Sequence, residues 1–318
     1  MKFSRRALLT VPLATLLLAS CAREKPDERI VLGFSQIGAE SEWRTANTES
    51  IKTAAATMNI DLRFADAQQK QENQIKALRT FIAQKVDVIA FSPVVATGWD
   101  TVLREAKAAG IPVILTDRAV TSDPSLYVGF LGSDFIEEGR KAGRWVSETF
   151  KDTTDVNIVE LQGTVGSAPA NDRKTGFEEA IAANPHLKII RSQSGDFTRA
   201  KGKETMEAIL KSESRKMHVL YAHNDDMAIG AIQAIEEAGY RPGKDIFIVS
   251  IDAVKGAFEA MIAGKLNATI ECNPLLGPQL MTSVAEVVAG RPIPKRIVVD
   301  ETMFTMDTAR QFIQTRKY

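Results

Sequence analysis

The sequence predicts an α/β fold made of two doubly wound, Rossmann-like lobes. Short, continuously apolar segments alternate with amphipathic segments of helical spacing along almost the whole chain, which is typical of parallel sheets covered by helices on both faces. Eleven strands are predicted, more than one sheet holds comfortably. The length of 318 residues suits two domains of ordinary size.

The first series of elements begins at residue 29. Its helices show an apolar face, as at Ile75, Leu78 and Phe81, and the third ends before Gly110, a typical residue just past a helix. Strands are predicted at residues 30–34, 61–65, 86–91, 112–115 and 126–130, and helices at 41–59, 69–84 and 101–109.

The second series repeats the alternation from a helix that begins near Phe135. Gly239 ends its fourth helix in the same way as Gly110 ends one in the first series. Strands are predicted at residues 156–161, 188–193, 218–222, 246–251, 268–272 and 296–300, and helices at 135–150, 172–184, 200–210, 227–238, 255–262 and 276–289.

Residues 1–20 have the pattern of an export signal rather than of a fold element. Lys2, Arg5 and Arg6 precede a short apolar run, which ends in Leu-Ala-Ser before Cys21. That ending resembles the bacterial lipobox, so we expect Cys21 to carry a lipid and residues 21–28 to form a polar tether. An ordinary cleaved signal and a twin-arginine signal are the alternatives. Either way the mature chain is extracytoplasmic, in the periplasm.

The composition excludes several classes of function. The formal net charge is zero, so there is no basic surface to suggest nucleic-acid binding. With two cysteines, one of them at the lipidation site, Cys272 has no intramolecular disulfide partner, and three histidines with a lone thiol offer no metal-ligand cluster. The sequence contains no nucleophile elbow, no phosphate-binding loop and no dinucleotide-binding fingerprint. We therefore predict neither an enzyme nor a cofactor.

Polar and aromatic residues recur just after the predicted strands in both series. In doubly wound sheets, ligands bind beyond the carboxyl ends of the strands, which makes these positions the candidate site. They are Glu40, Trp43, Arg44, Asp117, Arg118, Arg173, Asp196, Phe197, His223, Asn224, Asp225, Asp226 and Asp252.

This mixture of side chains suits a neutral polyol such as a sugar. Carboxylates accept hydrogen bonds from hydroxyl pairs, arginine donates a planar fork to sugar oxygens, and Trp or Phe covers the C–H face. Structural roles compete with this interpretation at single positions. Asn224, Asp225 or Asp226 can cap the next helix, His223 can be a packed core residue, Trp43 and Phe197 can be core residues, and Asp117 with Arg118 can form a surface ion pair.

The same residues resemble a known family, the periplasmic sugar-binding proteins of ABC importers, of the ribose-binding type. The resemblance rests on segments spread over the whole mature chain, and the finer matches are to the galactofuranose-binding subgroup of enteric bacteria. These segments are residues 33–36, 116–118, 171–177, 222–228 and 250–252 for the family, and 40–44, 65–74, 93–99, 159–166 and 191–197 for the subgroup.

The resemblance implies the type I periplasmic binding protein fold, with two lobes joined by three hinge crossings. We expect an N-terminal lobe at residues 29–132 and 273–296, and a C-terminal lobe at 133–272 and 297–318. It also implies that Asp117, Arg118, Arg173, Asn224 and Asp252 hydrogen-bond the sugar, joined in the subgroup by Glu40 and Arg44, with Trp43 and Phe197 on its faces. Where the family pattern has a glutamine, this chain has Cys272.

The resemblance implies a monomeric receptor that delivers galactofuranose or a close sugar to membrane permease subunits. Three alternatives remain. The same fold serves sensory receptors for chemotaxis or a histidine kinase, and sugar-responsive repressors, although here an export signal stands where a repressor has its DNA-binding part. The three arginines also suit a sugar acid, and an inositol or an autoinducer sugar would suit the same cleft.

Overall fold

The computed structural model describes residues 29–318. The predicted signal, the predicted lipidation site at Cys21 and the predicted tether lie outside the described residues. Within residues 29–318, twelve strands follow one another in this order: β1 (Val31–Gln36), β2 (Asp61–Asp66), β3 (Val88–Phe91), β4 (Val113–Thr116), β5 (Gly129–Gly132), β6 (Val156–Gln162), β7 (Leu187–Ser194), β8 (Val219–Ala222), β9 (Phe247–Asp252), β10 (Ala268–Glu271), β11 (Arg296–Val298) and β12 (Met303–Thr305).

Ten helices alternate with these strands in the described chain. They are α1 (Glu42–Thr57), α2 (Gln71–Ala83), α3 (Asp100–Ala108), α4 (Phe135–Thr149), α5 (Ala168–Ile181), α6 (Arg199–Ser212), α7 (Asp225–Glu237), α8 (Lys255–Ile262), α9 (Gly277–Val288) and α10 (Ala309–Phe312). None of the helices in this part of the chain is both long and apolar enough to cross a membrane.

The strands form two six-stranded sheets, one in each lobe. The first has the order β11-β5-β4-β3-β1-β2, and the second the order β12-β10-β9-β8-β6-β7. All neighbours are parallel except β12, which runs antiparallel to β10 at the edge of the second sheet. The predicted pair of doubly wound lobes is therefore confirmed. The edge strand β12 was not predicted, because three residues are too few to show a period.

Each sheet carries its core on both faces, as the apolar strands predicted. In the first lobe, Phe34 and Ile114 belong to a cluster on one face, while Phe91 and Leu115 belong to a cluster on the other. The second lobe has a larger single cluster, which also includes the Trp43 side chain from the first lobe. The two lobes therefore have separate cores, and Trp43 and the partly buried Ala119 of the first lobe pack against the core of the second.

The chain passes between the sheets three times. The crossings are residues 133–134, between β5 and α4; residues 272–276, between β10 and α9; and residues 299–302, between β11 and β12. The third crossing was expected after residue 296. It follows Val298 instead, because Arg296, Ile297 and Val298 pair with β5 of the first sheet.

Two predicted boundaries also shift for local reasons. The helix expected to start at Asp172 begins at Ala168, because the Ser167 side chain accepts a hydrogen bond from the Ala170 backbone N–H and caps that end. The strand expected at residues 126–130 is β5, which begins only at Gly129 because residues 124–126 form a 3₁₀ turn. The earlier start of α5 places Pro169 in its first turn.

Candidate ligand-binding site

A cavity lies between the lobes, beyond the carboxyl ends of both sheets. The space that protein atoms leave empty there, including the part open to solvent, is about 300 Å³. Its walls include all nine residues proposed above to bind the ligand. The lining residues are Glu40, Ser41, Trp43, Arg44, Asp117, Arg118, Pro169, Arg173, Phe197, Asn224, Asp252 and Cys272.

The first turn of α1 brings two of these side chains into the cavity. Ser41 caps the helix by accepting a hydrogen bond from the Arg44 backbone N–H at 3.1 Å. Trp43 and Arg44 follow within that turn and are almost completely buried. The cap therefore fixes the orientation of an aromatic ring and a guanidinium at once.

Arg44 joins two carboxylates in the first lobe. Its Nε donates to Glu40 Oε1 at 2.9 Å and its Nη2 donates to Asp117 Oδ2 at 2.7 Å. The Ser92 hydroxyl donates to the same Asp117 oxygen at 2.8 Å. Burial alone raises the pKa of Asp117, but Arg44 and Arg118 outweigh burial, and the pKa lies below its ordinary value. Asp117 is therefore an ionised carboxylate inside the protein, not part of a surface ion pair.

Arg118 closes the first-lobe side of the cavity. Its Nη1 donates to the Val94 carbonyl at 3.0 Å, and its guanidinium carbon lies 5.2 Å from the centre of the Phe197 ring in the opposite lobe. Burial, followed by the neighbouring Arg44, lowers the pKa of Arg118 to about 10. The side chain therefore still carries its charge at neutral pH.

Arg173 is the cation of the second lobe. Its Nε donates to Glu138 Oε2 at 2.7 Å, its Nη1 donates to the His223 carbonyl at 2.6 Å, and its Nη2 lies 3.8 Å from Asp252 Oδ1. Burial lowers the pKa of Arg173, but the acidic neighbours, Glu138 first, outweigh burial and raise it above its ordinary value. The guanidinium is permanently charged and held by two donated hydrogen bonds.

Asp252 ends β9 in a conformation that few residues adopt. Its φ of 127° is followed by a φ of 59° at Ala253, a sharp turn that directs the carboxyl group into the cavity. Burial raises the pKa of Asp252 well above its ordinary value, and Asp225 and Glu138 raise it further, while Arg173 opposes them. Strained backbone of this kind is concentrated at ligand sites.

Asn224 has the capping role that was considered for it, and it also lines the cavity. Its Oδ1 accepts from the Met227 backbone N–H at 3.0 Å and caps α7, while its Nδ2 donates to the Phe197 carbonyl at 3.1 Å. The capping role suggested for Asp225 and Asp226 is wrong, because α7 begins at Asp225 and Asn224 holds the cap position. Asp225 is instead a buried acceptor for Ser250, Thr269 and the Val254 N–H.

Two aromatic rings form walls of the cavity, one from each lobe. Trp43 donates through Nε1 to the Cys272 carbonyl at 2.6 Å. Phe197 lies on a left-handed turn with Asp196, with φ values of 60° and 55°. Its ring covers Gly163, where a Cβ atom would be 1.9 Å from the ring. Both rings are buried, as the core interpretation expected, and both also line the cavity.

His223 is a packed core residue, as its alternative interpretation expected. The ring is fully buried and its Nε2 lies 3.1 Å from Glu160 Oε1. Burial lowers the pKa of His223, although Glu160 opposes this. Its side chain is not among the lining residues of the cavity, and only its carbonyl reaches the site, through Arg173.

Several residues of the site were not predicted. Ser92 directly follows β3, so the strand-end rule that found Asp117 would have found it as well. Glu138 lies inside α4, where the sequence contains no signal for a buried carboxyl group. Cys272 lines the cavity, whereas its neighbour Glu271 accepts hydrogen bonds from Arg316 and Tyr318 instead. The thiol thus stands where the family pattern has a glutamine.

Two buried polar atoms in the cavity walls have no hydrogen-bond partner within residues 29–318. They are the acceptor Glu40 Oε2 and the donor Arg118 Nε. Buried polar groups are nearly always paired, and leaving one unpaired costs about 1–3 kcal/mol. An unpaired acceptor and an unpaired donor in the same cavity indicate that a ligand with both kinds of group completes them.

The charges of the site are largely balanced without a ligand. Arg44 lies between Glu40 and Asp117, and Arg173 has Glu138. Arg118 is farther from its acidic neighbours, 3.8 Å from Asp117 and 4.0 Å from Glu40. Since each guanidinium already has a carboxylate nearby, the arrangement favours an uncharged polyhydroxylated ligand over a sugar acid.

The lobes are also in contact at the mouth of the cavity. The Glu42 N–H donates to Asp226 Oδ2 at 2.8 Å, and the Ala96 N–H donates to the Gly166 carbonyl at 2.9 Å. Arg199 of the second lobe binds Asp226 at 2.8 Å and lies 3.7 Å from Glu42 of the first. These contacts hold the lobes together around the site, so the conformation is a closed one.

A further cluster lies behind the cavity at the crossings. Glu138, Cys272 and Glu301 each have a candidate metal-ligating atom within 4.8 Å of the other two. The sequence did not predict this trio, since its members are far apart along the chain. It borders the site through Glu138, which binds Arg173.

Comparison with known proteins agrees with this geometry. A family model described as a periplasmic binding protein domain matches residues 32–292. The chain is 46% identical over 316 residues to the galactofuranose-binding protein YtfQ of Escherichia coli, an alignment that covers 98% of each sequence.

Two solved structures are similar to the whole described fold. A protein from Mycobacterium smegmatis in complex with beta-D-fucofuranose is 57% identical, with a TM-score of 0.89, over 91% of this chain and 95% of that one. The periplasmic binding component of the arabinose ABC transporter from Shewanella sp. ANA-3, bound to L-arabinofuranose, is 50% identical, with a TM-score of 0.87, over 90% of this chain and 95% of that one.

Proposed function

This chain belongs to the periplasmic binding protein domain family, and we propose that it is the sugar receptor of an ABC importer. Its ligand would be one monosaccharide, galactofuranose or a close furanose sugar, held between the lobes. The observation that carries the proposal is the pair of unpaired buried atoms, Glu40 Oε2 and Arg118 Nε, in a closed cavity of polar residues.

A sugar hydroxyl is both donor and acceptor, so one ring can satisfy both atoms. Asp117 and Asp252 would accept from hydroxyls, and Arg173 and Asn224 would donate to sugar oxygens from the other side. Trp43 and Phe197 are the aromatic rings available to cover the sugar's C–H faces. This is the residue set proposed from the strand ends, with Arg44 placed among its carboxylates.

Hinge closure is the mechanism we propose for binding. Glu40, Arg44, Asp117 and Arg118 belong to one lobe, while Arg173, Asn224 and Asp252 belong to the other. A sugar that contacts both sets gains its full binding free energy only when the lobes close, so ligand shifts the population toward the closed form. The permease would then recognise the surface of the closed form.

The furanose ring form is supported by what the similar proteins bind. One of the two similar structures contains fucofuranose, the other arabinofuranose, and the E. coli relative is named for galactofuranose. Free galactose in water is largely in other ring forms. A receptor that binds only a minor form shows an apparent affinity reduced by that fraction, which gives the ring form a measurable signature.

Isothermal titration of the chain from residue 22 onward tests the proposal. We expect a heat of binding when galactose, fucose or arabinose is added. A sample enriched in the furanose form should give a much lower apparent dissociation constant. Ribose, galacturonate and inositol should bind weakly or not at all. Binding of galacturonate alone would assign the three arginines to a carboxylate, and binding of inositol alone would exclude a furanose site.

A pair of arginine variants controls for unspecific effects. Arg118→Met removes the unpaired donor of the cavity and should abolish the heat. Arg241→Ala removes an exposed arginine far from the cavity lining and should leave the titration unchanged. Equal titrations for the two variants would exclude this cavity as the site.

The extracytoplasmic location follows from the family, and the lipid anchor is a further part of the proposal. Cys21 follows Leu-Ala-Ser after an apolar run, so we expect the mature protein to begin at an acylated Cys21 and to fractionate with membranes. Mass spectrometry of its N-terminus measures this directly. A Cys21→Ala variant should be released in soluble form, and an unmodified N-terminus in the wild type would contradict the anchor.

An importer receptor and a sensory receptor differ in the phenotype of a deletion strain. We expect loss of furanose uptake without loss of a sugar-dependent signalling response. Restoration by the wild type but not by Arg118→Met would link the uptake to the cavity. A signalling defect with normal uptake would favour the sensory alternative.

A further inference from the structure

One carboxylate oxygen connects all three crossings between the lobes. Glu301 lies in the third crossing, and its Oε1 accepts from the Ser133 hydroxyl of the first crossing at 2.5 Å and from the Asn273 N–H of the second at 3.1 Å. The Ser133 oxygen also lies 3.4 Å from the Cys272 sulfur. A rotation of the lobes at the crossings therefore acts directly on Glu301.

The buried carboxyl group of Glu138 lies beside the partly buried Glu301. Glu138 Oε2 accepts from Arg173, whereas Oε1 is buried without a hydrogen-bond donor in the described chain. The ligating atoms of Glu138, Glu301 and Cys272 are within 4.8 Å of one another. A buried and a partly buried carboxyl group this close cannot both be ionised cheaply, and a proton held between them would supply the donor that Glu138 Oε1 lacks.

We propose that Glu138 and Glu301 share one proton, and that through it Glu301 is a positioning residue that holds Arg173 in place for the sugar. The inference rests on the proposed sugar-binding function. It connects the ligand to the hinge through Arg173, Glu138 and Glu301, and it makes ligand affinity depend on pH.

The charges around the pair are consistent with a shared proton. Burial first and the neighbouring Glu138 second raise the pKa of Glu301 to about 9, although the hydrogen bonds from Ser133 and Asn273 oppose them. Burial likewise raises the pKa of Glu138, although Arg173 opposes this.

Within residues 29–318, Arg173 is the one cation that binds a carboxyl group of this pair. Burial raises the pKa of Cys272 well above its ordinary value, so the thiol keeps its proton. Asp252 adds negative charge near Arg173 and Cys272. Lys141, on the same helix as Glu138, donates to the backbone carbonyl of Glu301 rather than to its carboxylate.

The sign of the pH dependence follows from this arrangement. Opening at the crossings exposes Glu301 to water and brings its pKa back toward the ordinary value, so closure takes up part of a proton. Affinity should therefore be highest at low pH and fall as the pH rises toward about 9. For one proton the decrease is at most about tenfold per pH unit.

Titration of a furanose sugar across this pH range tests the inference with two variants. Glu301→Ala removes the partner of Glu138 and should weaken binding at neutral pH by about tenfold or more. Glu301→Gln keeps an acceptor for Ser133 and Asn273 and a donor for Glu138, so it should rescue most of that affinity. Because the amide does not titrate, Glu301→Gln should also flatten the pH dependence.

The control is Glu148→Gln, an exposed glutamate near the end of the same helix as Glu138, which should keep the wild-type affinity and pH dependence. If Glu301→Gln retained the wild-type slope, the shared proton would be excluded as its origin. If Glu301→Ala bound as tightly as the wild type, Glu301 would not position Arg173.

Infrared spectroscopy with and without sugar separates this inference from the proposed function. The sugar-bound wild type should show the carbonyl stretch of a protonated carboxyl group above neutral pH, and this band should be missing from sugar-bound Glu301→Gln. Identical spectra of the two sugar-bound proteins would overturn the inference and leave the proposed function standing. The absence of any sugar binding would overturn the proposed function, and with it the role of Glu301 toward Arg173. If the wild type bound zinc tightly and a Cys272→Ser variant lost that binding, the space between Glu138, Cys272 and Glu301 would instead be a metal site.

Discussion

The two lobes hold their charged cavity residues in different ways. In the first lobe, Arg44 binds Glu40 and Asp117 directly, and the pKa of Asp117 lies below its ordinary value. In the second lobe, Asp252 is 3.8 Å from Arg173, and its pKa lies well above its ordinary value. The charged residues of the first lobe are thus paired before any ligand binds, whereas the second lobe contains a carboxyl group, Asp252, that is costly to ionise in place. Under the proposed function, a sugar hydroxyl would be its partner.

The largest effect is expected from a change that removes the central arginine of the first-lobe network. Arg44→Met should lower the free energy of unfolding by about 3–5 kcal/mol, because it leaves Glu40 and Asp117 buried without their cation. Urea denaturation of the ligand-free protein measures this. A loss below about 1 kcal/mol would mean that the first-lobe network contributes little to stability and that the two halves do not differ.

The corresponding change in the second half should affect binding more than folding. Arg173→Ala should weaken sugar affinity by about 100-fold or more, since it removes charged hydrogen-bond donors from the closed site. Its cost in stability should be smaller than that of Arg44→Met, because Glu138 has a raised pKa and can take up a proton. Titration and denaturation of the two variants side by side give the comparison, and unchanged affinity would exclude Arg173 from the site.

Replacing each aspartate by asparagine sharpens the comparison. The lowered pKa of Asp117 means that its contribution to stability is present above its ordinary pKa of 3.8 and is lost as the pH falls. Asp117→Asn should therefore cost about 2 kcal/mol at neutral pH.

The raised pKa of Asp252 gives the opposite dependence of stability on pH. Its contribution to stability decreases as the pH rises above 3.8 toward the folded-state pKa, so Asp252→Asn should raise the melting temperature at neutral pH while it weakens sugar binding by about tenfold. Melting curves at acidic and neutral pH measure both variants. Shifts of the same sign would show that the two carboxylates are equivalent.

The smallest effect is expected at the mouth of the cavity. Arg199 connects Asp226 to Glu42 across the lobes, but almost half of its side chain is exposed. Arg199→Ala should weaken sugar affinity by about fivefold or less, the range of an exposed ion pair, and this effect should disappear at high salt. A larger loss that persists in salt would make this contact part of the binding site proper.

The strand-end rule predicted most of the site because it depends only on topology. Parallel strands of both sheets end at the same cleft, so Asp117, Phe197, Asn224 and Asp252 meet although they are far apart in the sequence. Their local roles were less predictable. Asn224 caps α7 in place of its acidic neighbours, a difference of one residue that sequence spacing does not resolve.

Residues that act from inside helices or crossings gave no signal. Glu138 looks like any polar residue of an amphipathic helix, and Glu301 follows the short edge strand β11. Their proximity arises from the three crossings, which bring residues 133, 273 and 301 together. Sequence periodicity reports which side of an element is apolar, and it carries no information about how two lobes are joined.

The position of Trp43 makes the chain its own optical reporter. Its indole extends from α1 of the first lobe to the Cys272 carbonyl in a crossing and packs with the core of the second lobe. Of the other two tryptophans, Trp99 is buried within the first lobe and Trp145 packs against the second. Fluorescence from a variant that retains Trp43 alone would therefore follow opening and closing in real time, without an added dye.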